Sequence, residues 1–215
     1  MRPMVVTIAM LALAGCEREA PDNRTVAPKA VAAQPAAPGR AIEASFDCAR
    51  ANGQAQELVC ADVNLAAMDR EIARLAGLAA EPAALADWAR ERDDCWKSDE
   101  LRHCVMAGAM LRVHDLRRGL QAAGERDGLS AGPVTYSCKG LGGPLLATFV
   151  NSDPGAVALE WGGEAIAIDH VAAASGARYE GRWNGQPYGF STEGREATLT
   201  LAGKGDLNCS EAPGR

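Results

Sequence analysis

The chain has 215 residues, of which 47% are hydrophobic and 5% aromatic, and its formal net charge at pH 7 is -6. This length accommodates one or two domains once a leader is removed. An acidic chain without a basic stripe argues against nucleic acid as a partner and favours a cationic one, because opposite charges raise the encounter rate.

The N-terminus has the pattern of a leader for export. Arg2 precedes a short apolar run from Met4 to Ala14, which is too short to span a bilayer. We therefore predict a signal peptide over residues 1–15. Its end, Leu13–Ala14–Gly15–Cys16, resembles a bacterial lipobox, which implies that Cys16 carries a lipid such as palmitate; the alternative is an ordinary signal with a coincidental cysteine. Glu17, rather than aspartate, follows and favours the outer membrane, with the protein facing the periplasm.

Residues 16–44 are rich in alanine and proline and contain almost no large apolar side chains. Such a composition cannot bury a core, so we expect a disordered tether here. A lipid-anchored protein needs a segment of this kind to reach away from the membrane.

Six cysteines follow Cys16, at positions 48, 60, 95, 104, 138 and 209. An even number in an exported chain indicates disulfides, and six cysteines allow fifteen pairings. Zinc is the competing interpretation, but the spacings contain no CxxC pair. We therefore predict structural disulfides, no metal site and no cofactor.

From residue 45 to about 123 the hydrophobic period is helical. The first helix carries one apolar face, made of Leu58, Leu65, Met68, Ile72 and Leu75. Glu81–Pro82 opens a second helix, in which we expect the charged run 90–94 to be solvated. A third helix runs from about Asp99 and ends before Gly124. We expect the indoles of Trp88 and Trp96 to pack in the helical core.

The helical topology leads to a disulfide prediction. Antiparallel helices place the start of the first beside the end of the second, which brings Cys60 to Cys95. Cys48 and Cys104, just outside them, are then left to pair.

From Pro133 onward the period drops to two. Seven short strand candidates are Val134–Tyr136, Leu145–Phe149, Val157–Trp161, Ala165–Ile168, Arg178–Trp183, Tyr188–Ser191 and Ala197–Leu201. Pairs such as Asn184–Gly185 supply the positive φ angles of tight hairpins. We predict an α + β chain of two domains, in which a disulfide-stapled helical bundle (45–123) and a linker (124–132) precede a small antiparallel barrel (133–210). A Cys138–Cys209 disulfide would tie the first strand to the last.

The helical segment resembles the LprI-type domain of bacterial envelope proteins, among them a mycobacterial lysozyme inhibitor. The matching residues are Phe46–Ala49, Glu57–Cys60, Leu65, Met68–Asp69, Trp88, Arg92–Cys95, Cys104–Val105, Arg112–Val113 and Leu116. Ala109 departs from the tyrosine of that pattern.

The β segment resembles the membrane-bound inhibitor of c-type lysozyme, an eight-stranded antiparallel barrel. The matching pieces are Tyr136–Cys138, Ser175–Tyr179, Phe190, Gly194–Ala197 and Cys209. The resemblance implies that two barrel loops enter the lysozyme cleft, where a serine and a lysine contact the catalytic carboxylates. C-type lysozymes use one carboxyl group with a raised pKa and one ionised carboxylate.

Carried onto this sequence, the resemblance implies a lysozyme-binding set of Ser175, Gly176, Arg178, Tyr179, Glu193 and Arg195. Ser175 would donate to the ionised carboxylate, and Gly176 would let the backbone enter a narrow cleft. Arg178 and Tyr179 are residue types of binding hot spots. Glu193 stands where the family has lysine, so either Arg178 or Arg195 substitutes for it or inhibition is weak. Taken alone, the segment could also be an ordinary turn.

These patterns predict an inhibitor that does no chemistry itself. His103, His114 and His170 are scattered over both domains, and no nucleophile and base can be assembled from the motifs. The alternative function is that of a structural or assembly lipoprotein whose barrel does not inhibit. Slower lysis of cell walls by added lysozyme would separate the two.

Overall fold

The structure, a computed structural model, describes residues 42–120 and 128–213. The predicted signal peptide, the predicted lipidation site Cys16 and nearly all of the predicted tether lie outside these ranges. Four helices precede a closed barrel of eight antiparallel strands, which confirms the predicted α + β architecture. None of the described helices is long and apolar enough to cross a membrane.

The helical part is made of α1 (Gln54–Ala61), α2 (Val63–Leu78), α3 (Pro82–Asp94) and α4 (Leu101–Leu120), with 3₁₀ turns at Cys48–Arg50 and Cys95–Lys97. The predicted first helix is therefore two helices. The break lies at Asp62, whose side chain accepts hydrogen bonds from the N–H groups of Asn64 (3.0 Å) and Leu65 (3.2 Å). Asp62 thereby caps α2. Helix α3 begins as predicted, with Pro82 in its first turn.

The predicted apolar face of α2 forms the centre of the helical core. Its members Leu65, Met68, Ile72 and Leu75 are all buried. Trp88 on α3 is also buried, as predicted, and its indole Nε1 donates to Asp69 Oδ1 over 2.9 Å. This hydrogen bond satisfies a carboxylate that has no exposed surface.

Two expectations about the charged and aromatic residues of this part are corrected. Arg92 belongs to the run expected to be solvated, yet it is buried and its Nη1 lies 3.5 Å from Asp69 Oδ1. The reason is that Arg92 follows Trp88 by one helical turn and shares its inner face. Trp96, expected in the core, is 62% exposed, because it lies on the 3₁₀ turn after α3, where its neighbour Cys95 is the buried residue.

The disulfides of the helical part are sequential, so the nested prediction is wrong. Cys48 pairs with Cys60 and Cys95 with Cys104, each with a Cα–Cα distance of 5.7 Å. The prediction assumed one long first helix. Because the chain breaks at Asp62, Cys60 ends the short α1, and the turn at Cys48–Arg50 folds back onto it. The second bridge closes the connection from α3 to α4.

The eight strands are β1 (Ser130–Cys138), β2 (Pro144–Val150), β3 (Ala156–Trp161), β4 (Glu164–Val171), β5 (Ala177–Trp183), β6 (Gln186–Glu193), β7 (Glu196–Leu201) and β8 (Gly205–Glu211). Each pairs with its neighbours in the chain, and β1 pairs with β8 to close the barrel. The seven strand candidates are all present, and β8 is the strand that the candidates lacked. Asn184 and Gly185 have φ angles of 48° and 75°, as a two-residue hairpin turn requires.

The β1–β8 seam that closes the barrel is short. Three residue pairs are in register across it, and the last of them is Cys138 opposite Cys209. These two cysteines form the predicted disulfide. The barrel interior beside it is filled by large apolar side chains, among them Leu145, Leu159, Phe190 and Leu199, which are all buried.

The helices pack directly on one side of the barrel. Helix α4 lies against β1, β2, β3 and β4. Small outward-facing barrel residues (Val150, Ala156, Ala158 and Ala167) join the helical core there. As a result β3 has four consecutive buried residues instead of an alternation of buried and exposed ones.

A buried polar cluster of Glu71, Arg117 and Ser130 crosses this interface. Glu71 Oε1 accepts from Ser130 Oγ (2.5 Å) and from Ser130 N (3.2 Å), and Arg117 Nε donates to Ser130 Oγ (2.7 Å). Burial by itself would raise the pKa of Glu71, but hydrogen bonds from Arg74 and Ser130 outweigh it and lower the pKa to about 2. Ser130 falls in the predicted linker 124–132. Residues 130–132 of that linker therefore belong to β1.

A second polar cluster surrounds His114. Its Nδ1 lies 2.8 Å from Thr148 Oγ1, and its Nε2 lies 2.8 Å from Glu160 Oε2. Arg118 Nη1 also donates to Glu160 Oε2, over 2.7 Å. Burial opposes ionisation of Glu160, but these two partners outweigh it and lower the pKa of the carboxyl group. The helices and the barrel are thus joined by polar as well as apolar contacts.

Candidate functional site: a groove on the barrel

An open groove of about 530 Å³ lies on the barrel between the β4–β5 loop and strands β5 to β8. Three of the six predicted binding residues line it, namely Ser175, Arg178 and Glu193. No helical residue contributes to its lining. Helix α4 covers β1 to β4, so the groove is on the part of the barrel that the helices leave free.

Ser175 lies in the exposed loop between β4 and β5. Its hydroxyl group has no hydrogen-bond partner among the residues that the structure describes. A hydroxyl group in this position can donate to or accept from a molecule in the groove.

Gly176 has a role inside the protein, separate from the one predicted for it at the partner. Its φ angle is +64°, a left-handed conformation that L side chains rarely adopt. A Cβ atom on it would lie 2.0 Å from the carbonyl oxygen of Thr192 on β6. Gly176 thus lets the serine loop press against the neighbouring strand, and it fixes the position of Ser175.

Arg178 on β5 is exposed, and its guanidinium group binds a carboxylate of its own strand. Arg178 Nε donates to Glu180 Oε1 over 2.8 Å. The two residues are two positions apart and so extend from the same face of the strand. The positive charge that Arg178 brings to the groove is therefore partly compensated.

Tyr179 points into the barrel, which corrects its expected place in the contact surface. It is 8% exposed, and its ring lies 5.4 Å from that of His170 and 5.9 Å from that of Phe149, measured between centroids. Burial raises the pKa of its phenol. Tyr179 alternates with Arg178 along β5, so it fills the core where Arg178 faces solvent.

Glu193 is the last residue of β6, and Arg195 lies in the tight turn that leads to β7. Glu193 lines the groove, and the residue directly opposite it is Glu196. Arg195 is exposed but does not line the groove; its Nη2 lies 3.4 Å from the carbonyl oxygen of Glu211. Arg178 and Arg195, the two predicted substitutes for the family's lysine, therefore both already have partners within the chain.

The groove has further walls that are not among the predicted binding residues. Glu196 and Thr198 of β7 line it together with Asn208 of β8. Thr198 is in register with Ser191 on one side and with Asn208 on the other. The signal for these residues is the strand register, which places every second residue of neighbouring strands on one face.

The chemistry of the groove is that of a polar binding surface. Hydroxyl, amide, guanidinium and carboxylate groups converge there. Within residues 42–120 and 128–213, no group of three or more His, Cys, Asp or Glu residues could hold a metal ion. The described residues of the groove can form hydrogen bonds and ion pairs with a partner.

Comparison with known proteins first gives the class of the barrel. Residues 136–208, which include every residue that lines the groove, match the family model MliC, the membrane-bound lysozyme-inhibitor of c-type lysozyme. The barrel is therefore a domain of the lysozyme-inhibitor class, and the predicted resemblance is confirmed.

The whole chain then has more specific relatives. It is 30% identical over 188 residues to lipoprotein LprI of Mycobacterium bovis, which covers 83% of this chain and 86% of the relative. Lipoprotein LprI of Mycobacterium tuberculosis gives the same values. The chain belongs to the LprI lipoprotein family. No solved structure matches it.

Proposed function

We propose that this chain is a lipid-anchored inhibitor of the bacterial cell envelope that binds a lysozyme through the groove and blocks its active-site cleft. The lysozyme-inhibitor class of the barrel and the LprI family of the chain support the inhibitor and the lipoprotein parts of this proposal. In it, Cys16 carries the lipid and holds the protein at the outer membrane, facing the periplasm. The chain acts by occupying its target and performs no reaction.

The observation that carries the proposal is the convergence of separate segments on one exposed groove. Ser175 comes from a loop, Arg178 from β5 and Glu193 from the end of β6, and all three line the same surface. The helices cover the other side of the barrel, so a large partner has access to this side.

Ser175 has the chemistry to engage the cleft of a c-type lysozyme. Such an enzyme keeps one of its two catalytic carboxyl groups ionised. An ionised carboxylate accepts hydrogen bonds. The Ser175 hydroxyl group can donate one, because it has no hydrogen-bond partner within the described part of the chain. Because Gly176 fixes the loop against β6, this hydroxyl is presented at little entropic cost.

The first experiment tests inhibition. A soluble form that begins at Glu17 is mixed with a c-type lysozyme, and the clearing of a cell-wall suspension is followed. We expect slower clearing and a measurable complex. If the protein neither binds the lysozyme nor slows lysis, the structural or assembly function takes the place of inhibition.

The second experiment tests the serine. A hydrogen bond to a charged group is worth about 1.5–3 kcal/mol, so Ser175→Ala should weaken binding roughly ten- to a hundredfold. Ser137→Ala is the matched control, because Ser137 is exposed on β1 of the same barrel and does not line the groove. Equal affinities for the two variants would exclude Ser175 from the contact.

A further inference from the structure

We propose that the groove receives a cationic side chain of the bound lysozyme, an arginine or a lysine, between Glu193 and Glu196. This inference rests on the proposed function and adds the sign of the charge that the partner brings. It makes Glu196, which no motif singled out as a contact, a residue that determines which lysozyme is bound.

Glu193 and Glu196 are a like-charge pair held together by the fold. They lie directly opposite each other, as the last pair of β6 and β7 before the turn. Both are exposed and both line the groove. Neither side chain forms a hydrogen bond or an ion pair with any residue that the structure describes. Like charges directly opposite each other destabilise a strand pair.

The one cation that lines the described groove is paired with a carboxylate outside the glutamate pair. Arg178 is the one basic residue of the described chain that lines the groove, and its guanidinium group is bound to Glu180. Arg195, next to the pair in sequence, is directed to the carbonyl oxygen of Glu211. The described barrel as a whole, residues 128–213, has five Lys and Arg residues against nine Asp and Glu residues. The end of the groove at Glu193 and Glu196 is therefore negative.

The other walls make the groove a receptor for a cation that also donates hydrogen bonds. Thr192, Thr198 and Asn208 are neutral and present hydroxyl and amide groups. A guanidinium or ammonium group placed between the two carboxylates would form charge-assisted hydrogen bonds and end their mutual repulsion. An anionic group would add a third negative charge. A partner that fits the groove would therefore offer a cation to Glu193 and Glu196 close to the acceptor that it offers to Ser175.

The test removes both negative charges and keeps the shape of the two side chains. We expect Glu193→Gln combined with Glu196→Gln to lower the affinity for a c-type lysozyme at least tenfold, and to flatten the salt dependence of the association rate. The matched control is Glu57→Gln combined with Glu164→Gln, which removes the same net charge from exposed sites outside the groove. We expect the control to retain wild-type affinity within about twofold.

A second measurement separates binding from folding. The same double variant relieves a repulsion in the free protein, so its melting temperature should equal or exceed that of the wild type. Tighter or unchanged binding by the double variant, or an equal loss in the control, would overturn the inference. If Ser175→Ala still weakens binding in that case, the proposed function stands and only the cation site fails. If the wild type binds no lysozyme, the proposed function itself fails.

Discussion

Gly176 shows how a residue can serve the groove without touching a partner. Its backbone conformation and the 2.0 Å approach that a Cβ atom would make to Thr192 exclude every other residue without rearrangement. The sequence motif correctly indicates that this position is special. It does not distinguish a glycine that admits a partner from one that admits a neighbouring strand, because both appear as the same letter.

Glu71 is the residue on which we expect the pH dependence of stability to rest. Its pKa falls from an ordinary 4.5 to about 2 in the folded chain. Between these two values the unfolded chain binds more protons than the folded chain, so the free energy of unfolding falls as the pH falls through this window. A shift of this size corresponds to roughly 3 kcal/mol of stability that is present above pH 4.5 and lost towards pH 2.

Urea unfolding at pH 7 and at pH 3 checks this expectation. The wild type should lose more stability between the two pH values than Glu71→Gln, which has no proton to bind there. Glu57→Gln, an exposed change on α1, serves as the control and should follow the wild type. The same pH dependence in the wild type and in Glu71→Gln would contradict the assignment.

At the scale of the elements, the periodicity of the sequence identifies the helices and most strands, and its errors have local causes. The helical pattern continues through residues 58 to 75, so the cap at Asp62 that divides it is hidden in an unbroken apolar face. Because this break was missed, the predicted disulfide pairing was nested, whereas the observed pairing is sequential. β8 was missed because Gly205–Glu211 is mostly polar, and its partners on both sides, rather than its own sequence, make it a strand.

The Cys138–Cys209 disulfide should be the bridge that matters most to the barrel. It joins residues 71 positions apart and lies on the seam where three residue pairs hold the first strand to the last. In the chain-entropy model such a loop contributes about 4 kcal/mol. We expect the Cys138→Ala, Cys209→Ala double variant to melt well below the wild type, with the helical far-UV signal and the barrel signal lost at the same temperature.

The control for this prediction is reduction of the wild type, which should lower its melting temperature at least as far. Cys48→Ala with Cys60→Ala, which opens a bridge between residues 12 positions apart, should lower the melting temperature by less, because that bridge closes a much shorter loop. An oxidised double variant of the barrel cysteines with the melting temperature of the wild type would show that the bridge contributes nothing to stability.

At the scale of the whole molecule, the contact between the helices and the barrel is what the sequence did not reveal. The chain reads as two domains with a linker, but the helices bury outward-facing residues of the barrel, such as Ala156, Ala158 and Ala167. One trace of this contact is present in the sequence. The run Ala156–Leu159 is apolar without alternation, as expected of a strand that is covered on both faces. The groove, by contrast, could be predicted in part, because its serine and its first glutamate belong to recognisable motifs.

We expect the helices and the barrel to unfold together in one transition. The polar clusters around Glu71 and His114 and the shared apolar contact are buried between the two parts. Either part alone would expose these groups to water. Hydrogen exchange during urea unfolding should give the same midpoint for peptides of α4 and of β6. Ala158→Glu, which places a charge in the contact, should lower both midpoints equally, whereas Ser137→Glu on the exposed face of β1, opposite Ser210 and Pro144, should lower neither by a comparable amount. Separate midpoints in the wild type would show two independent domains.

The position of the helices also has a consequence for how such a protein defends a cell. In the proposed function, one flank of the barrel is occupied by the chain's own helices, so a single flank remains for the enzyme, and one groove would accommodate one target. Such an inhibitor would act stoichiometrically, because each bound enzyme occupies one chain. The number of chains in the envelope, rather than any rate, would then set the dose of lysozyme that the cell survives.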